Sequence, residues 1–314
     1  LRLAPARRAP PGPRRPRAAS LSVHSTSVTR PGRGAQARAT KSSPPPPARG
    51  TLARMRALVT GSRGTIGQAL ARRLGELGHE VVAWDRALAP IDRYDTMERF
   101  VAASAVDVVY HLAIASRPTG REGESWHVNV HWTGELAWIC RTLGLRFVHT
   151  STAMVFSSEA RGPFTLATPA DAAHGYGYEK RIAEDRALRQ YPSSVVVRLG
   201  WQIGDAPGGN EMLAALRRRA EEDGEVRAST RWLPACSFLA DTADALVRAA
   251  TAPPGLYMLD ANERWTFFEI ARALARARGE PWRVVPTEDL VQDQRMLDPR
   301  LAVPSLRARL PELG

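Results

Sequence analysis

The chain has 314 residues, with 44 basic and 32 acidic side chains and a formal charge of +12. Twelve of the basic groups and none of the acidic ones fall in residues 1–54, so residues 55–314 carry 32 of each sign and offer no clustered excess for a nucleic-acid-binding face. Two cysteines, Cys140 and Cys236, are too few for a disulfide scaffold or a structural zinc site, and no apolar run approaches the roughly 20 residues that span a bilayer. A cytoplasmic protein with neither nucleic acid nor membrane as partner is expected.

Residues 1–54 include ten prolines, four of them in the run Pro44–Pro47. Such a segment cannot bury enough apolar surface to offset its ordering entropy, and disorder is expected. An acid-free, Arg- and Ser-rich segment can serve as an organelle-targeting peptide or a polyanion-binding arm. Met55 directly precedes the first strand, as a natural start would, which favours a tail dispensable to function.

From Met55 onward, β-rich runs alternate with helical patterns. Strands are predicted at Met55–Thr60, Glu80–Asp85, Val106–Ala113, Arg146–Thr152, Ser194–Gly200 and Leu256–Leu259. Helices are predicted at Ile66–Leu77, Trp126–Leu143, Tyr176–Arg189, Glu211–Glu222, Ala240–Ala250 and Phe267–Arg278. Strands separated by helices imply right-handed βαβ units and an α/β fold: a doubly wound parallel sheet of Rossmann type. Residues 55–204 would form the dinucleotide-binding domain. Residues 205–314 would form a smaller substrate lobe, with 237–260 returning to the sheet.

Between the first strand and helix lies Thr60-Gly61-Ser62-Arg63-Gly64-Thr65-Ile66-Gly67. Gly61 would permit the tight turn, Gly64 would let the backbone approach a pyrophosphate, and Gly67 would allow close helix packing. The free N–H groups of Thr65 and Ile66 would face the phosphates. Asp85 ends the second strand at the distance expected of a carboxylate that grips a ribose 2′-OH, which favours NAD. Arg63 and Arg86 pull toward NADP, because each could meet a 2′-phosphate. Asp92, in the next connection, would border the adenine or serve as an ordinary loop acid.

Tyr176 and Lys180 stand four apart on a predicted helix and so share a face. A free phenol titrates near 10, and an ammonium one turn along favours its ionised form. The chain has only two lysines, Lys41 and Lys180, so residues 55–314 use Arg at 31 of their 32 basic positions. A site that needs a compact ammonium does not readily accept a guanidinium fork. Ser151 and Thr152 end a strand with hydroxyls, and in an open α/β sheet ligands bind beyond the carboxyl ends of the strands. A hydroxyl there could orient a carbonyl oxygen.

These pieces resemble the extended short-chain dehydrogenase/reductase family. The matching residues are Thr60–Gly67, Asp85, Asp107–Ala113, Asn129, Ser151-Thr152, Tyr176 with Lys180, and Arg198–Trp201, in family order over nearly all of 55–314. Within the family the chain is similar to the dTDP-4-dehydrorhamnose reductase branch, through Ser151–Phe156, Val197–Trp201, and Gly255–Leu259 followed by Trp265-Thr266-Phe267. The resemblance implies an NAD(P)-dependent oxidoreductase acting on a nucleotide-sugar carbonyl. It implies Tyr176 as proton donor, Lys180 as ribose anchor and Thr152 as the carbonyl-positioning hydroxyl. Leu112 and Ala113 would line the cofactor, and Trp201 and Arg295 the substrate. Family members often dimerise, so a homodimer is implied by analogy. Ala153-Met154 replaces that branch's Asp-Tyr, and His111-Leu112-Ala113 is closer to sugar-nucleotide epimerases and dehydratases. An epimerase or dehydratase therefore stays open, as does a non-catalytic dinucleotide-binding regulatory subunit.

His127 and His131 stand four apart, but no third ligand has suitable spacing, and Trp126, Trp132 and Trp138 around them suggest packing, so no metal is expected. Cys140 and Cys236 read as small buried hydrophobes, and Arg217-Arg218-Arg219 as a solvated helix face.

Overall fold

The computed structural model describes residues 54–116, 119–204 and 211–314. Apart from Arg54, the tail expected to be disordered lies outside the described residues.

The elements run β1 (Arg56–Thr60), α1 (Thr65–Glu76), β2 (Glu80–Ala83), α2 (Tyr94–Ala103), β3 (Val108–His111), α3 (Glu124–Trp126), a π-helical turn (His127–His131), α4 (Trp132–Leu143), β4 (Arg146–Thr152), α5 (Gly175–Gln190) and β5 (Val195–Leu199). They continue with β6 (Trp201–Ile203), α6 (Met212–Asp223), β7 (Glu225–Ser229), β8 (Trp232–Leu233), β9 (Cys236–Phe238), α7 (Leu239–Ala249), β10 (Gly255–Leu259), α8 (Phe267–Arg278), β11 (Arg283–Thr287), β12 (Gln292–Asp293) and α9 (Leu306–Arg309). Six strands form one parallel sheet in the order β2-β1-β3-β4-β5-β10. The chain reverses direction across the sheet between β1 and β3, and a crevice opens at such a switch point outside the carboxyl ends.

Alternation along the strands builds two cores, one on each face. Ala57, Val59, Val108, Tyr110, Val148, Val195, Val197 and Leu199 pack with Leu70 and Leu74 of α1 and Leu246 of α7. Leu58, Val109, Phe147 and Val196 point the other way, onto Met97 and Val101 of α2, Trp132 and Leu136 of α4 and Ala187 of α5. A third core lies in the C-terminal part, where Met212, Leu216, Val226, Trp265, Phe267, Ile270 and Leu274 meet Leu306 and Leu310. Three short two-stranded parallel pairs, β7 with β11, β8 with β12 and β6 with β9, serve this part. A capping box fixes the start of α8: Thr266 Oγ1 accepts from the Glu269 amide, and the Glu269 carboxylate accepts from the Thr266 amide.

Candidate active site

The glycine loop turns sharply at Gly61, whose φ of +66° suits glycine. A Cβ there would lie 2.9 Å from the backbone of Ala113, so the loop presses against the exit of β3. A Cβ at Gly67 would lie 2.1 Å from the Gly61 carbonyl oxygen, which confines this one position of α1 to glycine. No side chain caps α1, and no acid lies in its first turn, which holds Thr65 and Ile66. The donors and positive dipole end there face the crevice without a resident carboxylate, as a pyrophosphate requires. Thr60 Oγ1 accepts from the amides of Leu112 and Ala113 at 3.1 and 3.2 Å, which ties the two sides of the switch point together. Asp85 lies two residues past the end of β2, exposed, with one carboxylate oxygen on the Ala87 amide. Arg86 lays its guanidinium over the Trp132 ring. It borders a cavity of about 270 Å³ that also touches Ile91, Asp92, Arg121 and His127. Asp92 is ion-paired with Arg121. Arg63 lies exposed in the loop. The cradle, the uncapped helix end and the exposed carboxylate fit a dinucleotide.

Thr152 ends β4, and its hydroxyl accepts from the Met154 amide, capping the short turn that follows. The first turn of α5 abuts that turn closely: a Cβ on Gly177 would lie 2.0 Å from the Met154 carbonyl oxygen. Tyr176 precedes Gly177 on α5, and Thr152 precedes the turn that Gly177 meets. Burial, and secondarily the Glu179 carboxylate, pushes the Tyr176 phenol up to about 12. Lys180, one turn along, is 1% exposed, and burial brings its ammonium down to about 7 against the opposing pull of Glu184 and Glu179. Among the described residues no hydrogen bond joins Lys180 to Tyr176. Lys180 Nζ instead meets His149 Nε2 at 3.1 Å.

That contact belongs to a buried polar layer. Thr60 pairs in register with His111, His111 with His149, and Ser151 with Arg198. All lie on the α4–α5 face of the sheet. The network assigns the tautomers. Thr60 Oγ1 accepts twice, so its proton goes to His111 Nδ1 at 2.8 Å. His111 Nε2–H then donates to Thr133 Oγ1, which donates to the Asn129 carbonyl. His149 Nδ1–H donates to the His111 carbonyl at 3.2 Å, leaving Nε2 as the acceptor for Lys180. Burial first, and the Lys180 charge second, holds both imidazoles well below their usual range, so both are neutral. Beside them Arg198 donates twice to Glu184, at 2.9 and 2.8 Å, both side chains being almost wholly buried.

Asn129 sits in the π-helical turn, a feature that often re-aims side chains at functional sites. Its amide oxygen accepts from Ala115 and its amide nitrogen donates to Glu179, joining the exit of β3 to α5. Trp201 stacks on Trp232 and Phe267, and Arg295 is clamped by Asp293 in a two-pronged ion pair. Neither contact reaches Thr152, Tyr176 or Lys180. A cavity of about 530 Å³ between α1 and α7, touching Arg72, Phe238 and Asp244, excludes those three residues as well. Among the described residues no group of three His, Cys, Asp or Glu could hold a metal, and no helix is long and apolar enough to cross a membrane.

Sequence reasoning missed His149 and Glu184, and it placed Arg198 in a family-matching run without giving it a role. The available signal was polarity at strand positions that alternation turns inward, together with the i, i+4 spacing of Lys180 and Glu184.

A doubly wound sheet with a glycine loop at its switch point and Tyr176 and Lys180 on α5 defines the class, an extended short-chain dehydrogenase/reductase. The family model described as RmlD substrate binding domain matches residues 55–303, and the chain belongs to that family. A dTDP-4-dehydrorhamnose reductase of Mycolicibacterium smegmatis is 29% identical over 238 residues, 74% of this chain and 72% of the relative. The spore coat polysaccharide biosynthesis protein SpsK of Bacillus subtilis is 25% identical over 225 residues, 71% of this chain and 79% of the relative. The crystal structure of a Bacillus anthracis dTDP-4-dehydrorhamnose reductase in complex with NADP shares the fold, with a TM-score of 0.71 at 18% identity over 83% of this chain and 98% of that one.

Proposed function

We propose that this protein reduces the carbonyl group of a nucleotide-bound sugar with a nicotinamide cofactor, Tyr176 delivering the proton. The observation that carries the reading is the abutment of α5, with Tyr176 and Lys180 four apart on it, on the turn that Thr152 caps at the end of β4. The nucleotide-sugar substrate is supported by relatives named dTDP-4-dehydrorhamnose reductase.

In this reading Gly61, Gly64 and Gly67 with the start of α1 seat the pyrophosphate, and Asp85 takes the ribose hydroxyls, which favours NAD because a carboxylate repels a 2′-phosphate. Bound nicotinamide supplies the hydride. Thr152 orients the substrate oxygen. A phenol titrating near 12 remains protonated at neutral pH, as a donor must. The Lys180 ammonium stabilises the phenolate left behind.

The test is to mix the full chain with a dTDP-4-dehydro-6-deoxy sugar and NADH or NADPH and follow loss of reduced cofactor. A reductase consumes it stoichiometrically. Interconversion of sugars without net consumption would point to the epimerase or dehydratase reading. Tyr176→Phe should lower kcat by roughly 10²–10⁴-fold with cofactor affinity largely intact. Turnover at the unaltered rate in that variant would refute the assignment.

A further inference from the structure

We infer that His149 is a positioning residue for Lys180: its Nε2 lone pair, aimed by the bond from Nδ1 to the His111 carbonyl, holds the buried Lys180 side chain against β4 and sets how readily it stays charged. The inference rests on the role proposed for Lys180 beside Tyr176.

Lys180 Nζ has one hydrogen-bond partner among the described residues, the buried His149 Nε2. The two acids within reach on its own helix are already engaged. Glu184 is held by both prongs of Arg198, and Glu179 accepts from Ser125 and Asn129. Among the described residues neither carboxylate hydrogen-bonds the ammonium. The imidazole is fixed from its far side, because Nδ1 must keep its proton to donate to the His111 carbonyl. That carbonyl is backbone of β3, held in the sheet between β1 and β4. The Lys180 side chain therefore ends on an acceptor that cannot rotate away without breaking buried bonds, each costly to leave unmade.

The chemistry of the acceptor matters as well. A carboxylate at position 149 would lock the lysine in a permanent ion pair. A neutral imidazole accepts from both forms but more strongly from the ammonium, so it fixes position and favours the charged form without a permanent ion pair. The ionisable groups coupled to Lys180 are His149 on β4, His111 on β3, and Glu179 and Glu184 on α5. Arg198 of β5 neutralises Glu184, and Arg86 couples to His111. The π-helical turn and α4 contribute Asn129 and Thr133, which do not titrate.

With only two lysines in the chain, lysine-selective isotope labelling gives two side-chain signals, and Lys41→Arg assigns them. His149→Leu should lower the Lys180 titration midpoint by about 1–2 pH units, the worth of one hydrogen bond to a charged group. The high-pH limb of kcat should move by the same amount. His149→Gln, whose amide oxygen can reach the Nε2 position, should recover most of both shifts. An unchanged Lys180 midpoint in the Leu variant, or a Gln variant as displaced as the Leu variant, would overturn the inference. ¹⁵N-histidine spectra of the unaltered chain give a readout that needs no variant to fold: His149 should be the neutral Nδ1–H tautomer. The Nε2–H tautomer or an imidazolium would equally overturn it. The titration needs no turnover, so it can fail while the Tyr176→Phe assay succeeds, and the reverse.

Discussion

Replacing Lys180 with Met should stabilise the protein at and below neutral pH while removing its activity. In the folded chain Lys180 is 1% exposed and titrates near 7, against an ordinary 10.5. Each pH unit of displacement corresponds to about 1.4 kcal/mol, so burying the ammonium costs roughly 5 kcal/mol where both states are protonated. The methionine avoids this cost but leaves His149 Nε2 without its donor, a loss of about 1–3 kcal/mol. The net gain at pH 6 is about 2–4 kcal/mol, or roughly 4–16 °C in Tm for a domain of this size. The sign follows from proton binding. Between pH 7 and 10.5 the unfolded chain holds the lysine proton and the folded chain does not, so wild-type stability rises through that window. The variant lacks the slope, and its advantage should shrink by roughly 3 kcal/mol between pH 6 and 9. Urea unfolding at several pH values, read as a difference from wild type, isolates this one group. A variant less stable than wild type at pH 6, or a difference that does not change with pH, would refute the reasoning.

Glu184→Gln should destabilise by about 3 kcal/mol and lower Tm by roughly 6–12 °C, because it leaves the buried Arg198 guanidinium without its counter-charge; a melt within a degree or two of wild type would contradict this. Gly67→Ala places a methyl 2.1 Å from the Gly61 carbonyl, so the loop must shift. The variant should remain folded at a cost of about 1–3 kcal/mol and lose at least about tenfold in NADH affinity by fluorescence titration, whereas unchanged affinity would show that the loop does not cradle the cofactor.

The main sheet was legible because its strands are short β-branched runs bounded by helices and turns, and the glycine loop was legible because only Gly61 and Gly67 satisfy the close approaches the turn makes. The C-terminal part was less so. β8 and β12 are two residues each and β6 and β9 three, too short for a repeat to register. The helix α2 escaped because only Met97 and Val101 are buried on it and no side chain caps its start. The π-helical turn over His127–His131 has no compositional mark, since an extra residue in a helical turn leaves the local residue types unchanged. At the site, Tyr176, Lys180 and Thr152 stood out by spacing and by the rarity of lysine. The partner of Lys180 did not, because His149 lies 31 residues away in sequence and only the sheet brings it near.

The buried polar layer is graded along the strands. On the α4–α5 face the earlier inward positions of β1, β3, β4 and β5 are Leu58, Val109, Phe147 and Val196, all apolar. The next inward positions, toward the carboxyl edge, are Thr60, His111, His149 and Arg198, with Ser151 one step further along β4. The opposite face keeps apolar side chains on β1, β3 and β5, with Val59, Tyr110, Val197 and Leu199, and turns to hydroxyls only on β4, where Thr150 and Thr152 follow Val148. Strand propensity alone gives no reason for one face to change character where the other does so on a single strand. Nor does stability, since well-packed hydrophobic residues in place of a buried ion pair are often neutral or stabilising. The change occurs on the side that carries α5, beneath the turn where Lys180 enters the sheet. Two members of the polar layer therefore serve the lysine directly: His149 holds it, and Arg198 occupies Glu184, a carboxylate that would otherwise bind it.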